Sequence, residues 1–157
     1  MFDDTKLRKA HMQSKIIAFA FFFTLLVYAG LGEFFLADLD IGIDSSVHGI
    51  LRYIFMAVAA VEIVAMVILR NRILSAESIA VPQTGAKEEV FLQRLRSAHI
   101  IACALCESIA IYGLVLLMLG KDKTEFYAFL GVAFFMMMVN FPKFEDWKSR
   151  LEDFLNN

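Results

Sequence analysis

The sequence predicts an all-α polytopic membrane protein: four transmembrane helices in a compact bundle, N-in and C-in, with a cytoplasmic amphipathic helix at the C-terminus. Three observations predict it. Of 157 residues, 59% are hydrophobic and 16 are Phe, and mean hydropathy is +0.64, whereas an ordinary soluble domain is about 45–50% apolar. The apolar residues gather into four runs, 16–32, 53–69, 98–119 and 126–140, each of which can form a helix that satisfies its backbone internally, as lipid demands. Basic residues mark alternate flanks: Lys6, Arg8, Lys9 and Lys15 before the first run, Arg70, Arg72, Lys87, Arg94 and Arg96 between the second and third, and Lys143, Lys148 and Arg150 after the fourth, against which the GKDKTEF turn sets two lysines, Lys121 and Lys123, on the other side. The segment from Glu33 to Asp44 carries Glu33, Asp38, Asp40 and Asp44 and no base, so the positive-inside rule puts both termini in the cytoplasm of a plasma membrane of bacterial inner type.

The elements follow in order. The first run is longer than a signal-peptide core and passes into GEFFLADLD without a small-residue cleavage site, which makes it a retained span. The first and fourth runs lie near the lower limit of about 17 residues for a crossing. The acidic loop FLADLDIGIDSSVHG does not match a calcium loop and reads as a solvated connection with an N-cap at Asp44 or Ser45. Residues 71–97 form the cytoplasmic linker, with Pro82 and Gly85 in its first part. Thr84 then caps a helix that runs through AKEEVFLQRLRS into the third span. In the tail, 143–155, Phe144, Trp147, Leu151, Phe154 and Leu155 share one helical face, which lies at the interface, packs on the chain itself or docks on a partner, with Trp147 as the interfacial ring. The whole chain is one membrane domain.

Two short segments echo each other. LRKAH at Leu7–His11 returns as LRSAH at Leu95–His99, and VYAG at Val27–Gly30 resembles IYGL at Ile111–Leu114, at an offset that differs by four residues.

Glu62 and Glu107 each stand inside an apolar run, eight residues from Arg70 and from His99 respectively. At about 1.5 Å per residue that is a depth of roughly 12 Å in the hydrocarbon. Ionisable groups there are costly, and their default reading is functional. Spans two and three are joined on one side and run antiparallel, so the two glutamates are expected at one level, among Ala59, Ala65, Ala104 and Ala110, which permit close approach. Two adjacent carboxylates in low dielectric cannot both stay ionised. They share a proton, bind a cation such as Na+, or separate onto different faces; the plainer readings are permanently protonated interhelical glue and pairing that faces lipid or another subunit. Ser108, Tyr112 and Thr24 are placed to extend a polar path, or to bond to a backbone carbonyl one turn back.

The third span also carries a family resemblance. ACALCESIAIYGLVLLML, from Ala102 to Leu119, is similar to the carboxylate-bearing helix of the rotary ATPase proteolipid, subunit c. The resemblance is confined to this span and implies that Glu107 occupies a proton- or sodium-binding position, with Tyr112 and Gly113 in the segment that follows it.

His99, Cys103 and Cys106 share a face of the third helix at i, i+4 and i+7 and form the one set with metal-binding or redox spacing. Ala98, Ala102, Cys106 and Ala110 read equally well as a seam of small residues. His11 and His99, at similar depths, are the pair available for axial haem ligation. No phosphate loop or nucleophile elbow is present, and a net charge of −2 gives no nucleic-acid signal. The expected class is therefore a non-enzymatic membrane subunit without a cofactor. Its carboxylates bind or relay a proton or monovalent cation; the alternative is a scaffold or assembly subunit of a larger membrane complex. The Ala-rich second and third spans are expected at the bundle centre. FAFFFTLL and FFMMMV are expected to face lipid, a second copy or other membrane subunits.

Overall fold

Leu7, Ala10, His11 and Ser14 recur at helical spacing ahead of the first apolar run, and all four are buried while Lys6, Arg8 and Lys9 face outward. That buried stripe carries helix α1 back to Asp4, so it spans Asp4–Leu31. The computed structural model describes residues 4–36, 44–74 and 87–156. After α1 the chain widens into a π turn at Gly32–Leu36, followed by α2 (Ser45–Leu74), α3 (Lys87–Gly120), α4 (Lys123–Val139) and α5 (Phe144–Asn156). No strand occurs among the described residues.

The helices outrun the apolar segments because their ends are capped or packed. Asp44 accepts the backbone N–H of Ser46 at 3.0 Å and its hydroxyl at 3.1 Å at the start of α2. Those bonds hold its carboxyl below the usual aspartate range. Asp122 caps α4 by accepting the Thr124 N–H at 2.8 Å, after a tight turn that takes Lys121 to a φ of 58°. Gly120 precedes that turn because the His48 ring lies where a Cβ would stand. The linker expected over 71–97 is shorter among the described residues, since 71–74 and 87–97 are helical. Pro82, Gly85, the cap assigned to Thr84, and Asp38 and Asp40 lie outside the described residues.

The chain is all-helical, and α1, α2 and α3 are each long and apolar enough to cross a membrane. Helix α4 reaches that standard only together with α5, to which it is bent by 53°. Three to four candidate spans result. Half of the apolar window of α3 is buried, against 17% for α1 and 11% for α2, so α3 alone is the centre and the expectation that α2 shares it is overturned. The reason is residue size. Ala98, Ala102, Cys106, Ala110 and Gly113 of α3 are buried. A Cβ at Gly113 would stand 2.8 Å from Phe129 Cβ and 3.1 Å from the Phe126 carbonyl oxygen. Helix α2 instead turns Val61, Val64 and Val67 outward.

A second cluster sits at the end of the bundle that bears both described chain ends. Leu7 and Ala10 of α1, Phe91, Leu92 and Leu95 of α3, and Trp147 and Leu151 of α5 close on one another. Phe91 and Phe154 stack with ring centroids 4.6 Å apart. The amphipathic tail is therefore packed on the chain itself, and Trp147, only 6% exposed, is a core residue rather than an interfacial ring. Leu, Ala and His of both the LRKAH and the LRSAH segment are buried.

Candidate functional site

Ser108 and Tyr112 are four apart on α3 and share a face, which meets Glu62 of α2. The Tyr112 hydroxyl donates to Glu62 Oε1 at 2.6 Å, and Ser108 Oγ lies 2.8 Å from Glu62 Oε2 and 2.8 Å from the Leu105 carbonyl oxygen. Phe55 stacks on the Tyr112 ring at 5.1 Å, which fixes the direction of the phenol. Glu107 precedes Ser108 and so points about 100° away around the helix. It faces α1 and accepts the Tyr28 hydroxyl at 2.8 Å.

The structure thus brings together three of the four residues expected at the site, Glu62, Ser108 and Tyr112, and sets Glu107 in the adjoining seam. Among the described residues no hydrogen bond joins the two carboxylates. The two carboxylates part by direction around α3, Glu107 toward α1 and Ser108 and Tyr112 toward α2, while α2 is anchored at its ends. His48 sits beside Gly120 at one end, and Met66 Sδ lies 3.2 Å from Asn140 Nδ2 toward the other. His48 to Glu62 and Gly120 to Cys106 are each 14 residues, so that register sets Glu62 beside the stretch of α3 that carries Glu107 and Ser108.

Hydrogen counting distinguishes the two carboxylates. The Tyr112 and Ser108 hydroxyls carry one hydrogen each, yet three close contacts run from Tyr112 to Glu62, from Glu62 to Ser108 and from Ser108 to Leu105. With an ionised Glu62 the single hydrogen of Ser108 is divided between two acceptors. Were Oε2 to carry a proton, Glu62 would donate to Ser108 and free the Ser108 hydrogen for the Leu105 carbonyl. Glu107 accepts one side-chain hydrogen bond among the described residues, from Tyr28.

The remaining sequence-derived candidates divide. Thr24 Oγ1 donates to the Ala20 carbonyl one turn back at 3.1 Å, a bond within α1 rather than a step in a polar path. Cys103 and Cys106 are free and buried. Cys103 Sγ lies 3.6 Å from His99 Nε2, while Cys106 fills the small-residue seam in the core. No group of three or more His, Cys, Asp and Glu with metal-holding geometry occurs among the described residues. His11 donates through Nε2 to the Pro142 carbonyl at 3.1 Å and meets Trp147 edge-on, so this nitrogen is engaged where a haem reading requires it open. His48 lies at the other end, 3.5 Å from Glu125.

Sequence reasoning missed Tyr28 and a polar layer at that other end. Arg52 donates to Glu125 at 2.9 Å, Lys123 to Glu33 at 2.9 Å and Tyr127 to Glu33 at 2.8 Å. The available signal for Tyr28 was a phenolic hydroxyl deep in an apolar run, which has to find a partner when buried. No protein-family model, curated protein or solved structure matches this chain.

Proposed function

We propose that the chain is a small integral membrane subunit whose intramembrane carboxylates bind or relay a proton or monovalent cation, with Glu62, Ser108 and Tyr112 as the principal site and Glu107 with Tyr28 beside it. Four spans and two cytoplasmic termini in an inner-type plasma membrane belong to this reading, supported by the basic flanks and the acidic Glu33–Asp44 segment. The observation that carries it is the contact chain Tyr112–Glu62–Ser108–Leu105, in which three close contacts share two hydroxyl hydrogens. A group that completes its hydrogen bonds by taking up a proton, half-buried among apolar helices, has the chemistry of a proton-holding site. The likeness of Ala102–Leu119 to a proteolipid carboxylate helix points the same way for the ion-site chemistry alone.

A second reading is favoured by a different observation: each carboxylate ties α3 to another helix, Glu62 to α2 and Glu107 to α1. On that reading the protein is a scaffold or assembly subunit and the glutamates are clasps. Exposed Phe19, Phe23, Val61 and Phe135 supply apolar surface for lipid, a second copy or other subunits. Carbodiimide labelling of the purified protein separates the two readings. A proton-exchanging Glu62 labels, labels less as pH rises or sodium is added, and loses the label in Glu62→Gln. Labelling indifferent to both pH and cation leaves the clasp.

A further inference from the structure

Helices α2 and α4 touch at two levels and part between them. Met66 meets Asn140 at one level and Arg52 meets Glu125 at the other; between the two lies a sideways-opening cleft of about 300 Å³ floored by Ile109 of α3. That volume is at the lower end for small-molecule sites. Ala59, Ala60 and Ile63 form one wall and Ala128 and Val132 the other. The polar side chains of the lining, Arg52 and Glu125, stand together at one end.

Dimensions and polarity select the occupant. From Arg52 to Ile63 the cleft follows α2 for about 16 Å at 1.5 Å per residue, roughly half of a 30 Å hydrocarbon layer. It is therefore polar at one membrane face and apolar down to the midplane, the profile of one chain of one leaflet. A neighbouring transmembrane helix would need a groove across the full thickness. The Arg52 side chain is 40% exposed, and its two bonds, to Glu125 and to the Tyr53 hydroxyl, use two of the five guanidinium N–H groups. The rest suit phosphate oxygens, for which the planar fork is well matched.

We propose that this cleft holds one acyl chain of an anionic phospholipid, with its phosphate on Arg52. The site is independent of the carboxylate chemistry of Glu62 and Glu107. Native mass spectrometry of the purified chain, loaded from micelles containing phosphatidylglycerol and phosphatidylcholine of matched chains, tests it. Wild type should retain the anionic lipid preferentially. Arg52→Gln should lower that preference about fivefold, the effect of one basic residue at an anionic lipid surface. Ala128→Phe should abolish retention of both lipids, because a ring on this exposed wall position fills the cleft. Helix content by circular dichroism checks that both variants fold, and Ala60→Leu provides a second, smaller plug. Equal retention in Ala128→Phe and Ala60→Leu, an unchanged headgroup preference in Arg52→Gln, or a cross-linked dimer through Ala60→Cys, which would assign the cleft to a second copy, overturns the proposal.

Discussion

Helix α3 has two kinds of seam. Toward α4 it presents Gly113 among small buried residues, and the helices approach until backbone and side chain leave no room for a Cβ. Toward α2 and α1 it presents Ser108, Tyr112 and Glu107, half-buried and joined to the neighbours by hydroxyl–carboxylate bonds. In lipid, burying apolar surface between helices gives no solvent-driven gain, so close packing and polar contacts are the two remaining sources of association. This bundle uses each on a different side. The packed seam tolerates no added volume, whereas the polar seam tolerates a change of group provided the hydrogen bonds persist.

The largest effect is expected where the packed seam is forced open. Gly113→Leu sets a side chain against Phe129 and the Phe126 carbonyl, and the helix must move, because the nearest obstacles include backbone. Overpacking of this kind costs about 3 kcal/mol. Denaturant unfolding in detergent micelles measures it, and a loss below about 1 kcal/mol would mean that α3 and α4 are not in such close approach.

Removing the centre of the polar seam comes next. Glu62→Leu leaves the Tyr112 hydroxyl without its acceptor, while Ser108 keeps the Leu105 carbonyl. Interhelical polar contacts in membranes contribute roughly 0.6–2 kcal/mol, so a loss of about 2 kcal/mol is expected, with most of it recovered in Glu62→Gln because the amide accepts from Tyr112 and donates to Ser108. A double-mutant cycle with Tyr112→Phe should return a coupling of about 1 kcal/mol. A coupling near zero would show that the short Tyr112–Glu62 contact is not formed. Tyr28→Phe, which removes the one hydroxyl bond that Glu107 accepts among the described residues, is expected to cost less, about 0.6 kcal/mol. If it equals Glu62→Leu, the two glutamates are equivalent and the distinction drawn by hydrogen counting fails.

These sites were partly legible in the sequence. Helical class, the apolar runs and the choice of Glu62, Ser108, Tyr112 and Glu107 follow from composition and from ionisable groups in apolar stretches. Which of them meet does not, because a rotation of about 100° separates Glu107 from Ser108, and packing alone decides which neighbour each faces. The exposure of α2 was hidden for a related reason: Ala59 and Ala65 match the small residues of α3, yet packing also requires large partners opposite, and Val61, Val64 and Val67 turn that helix outward. The docking of α5 on α1 and α3 was half visible, since its apolar stripe calls for a cover but cannot name one. Its cover is the amphipathic start of α1, masked in the sequence by Lys6, Arg8 and Lys9 on the other face of the same turns.

The smallest expected effect tests whether hydroxyl groups in these helices form a path or merely satisfy themselves. Thr24 is bonded to the Ala20 carbonyl of its own helix, a contact that leaves the backbone bonds of α1 in place and does not reach either glutamate. Replacing it by the isosteric Val removes a hydroxyl whose hydrogen bond is local to α1, so stability should change by less than about 0.5 kcal/mol, and carbodiimide labelling of Glu62 and Glu107 should keep its rate and its pH dependence. A fall in labelling of either glutamate in Thr24→Val would extend the polar seam from α3 into the body of α1. It would also contradict the division of α3 into a seam that packs and a seam that hydrogen-bonds only at Tyr28, Glu62, Glu107, Ser108 and Tyr112.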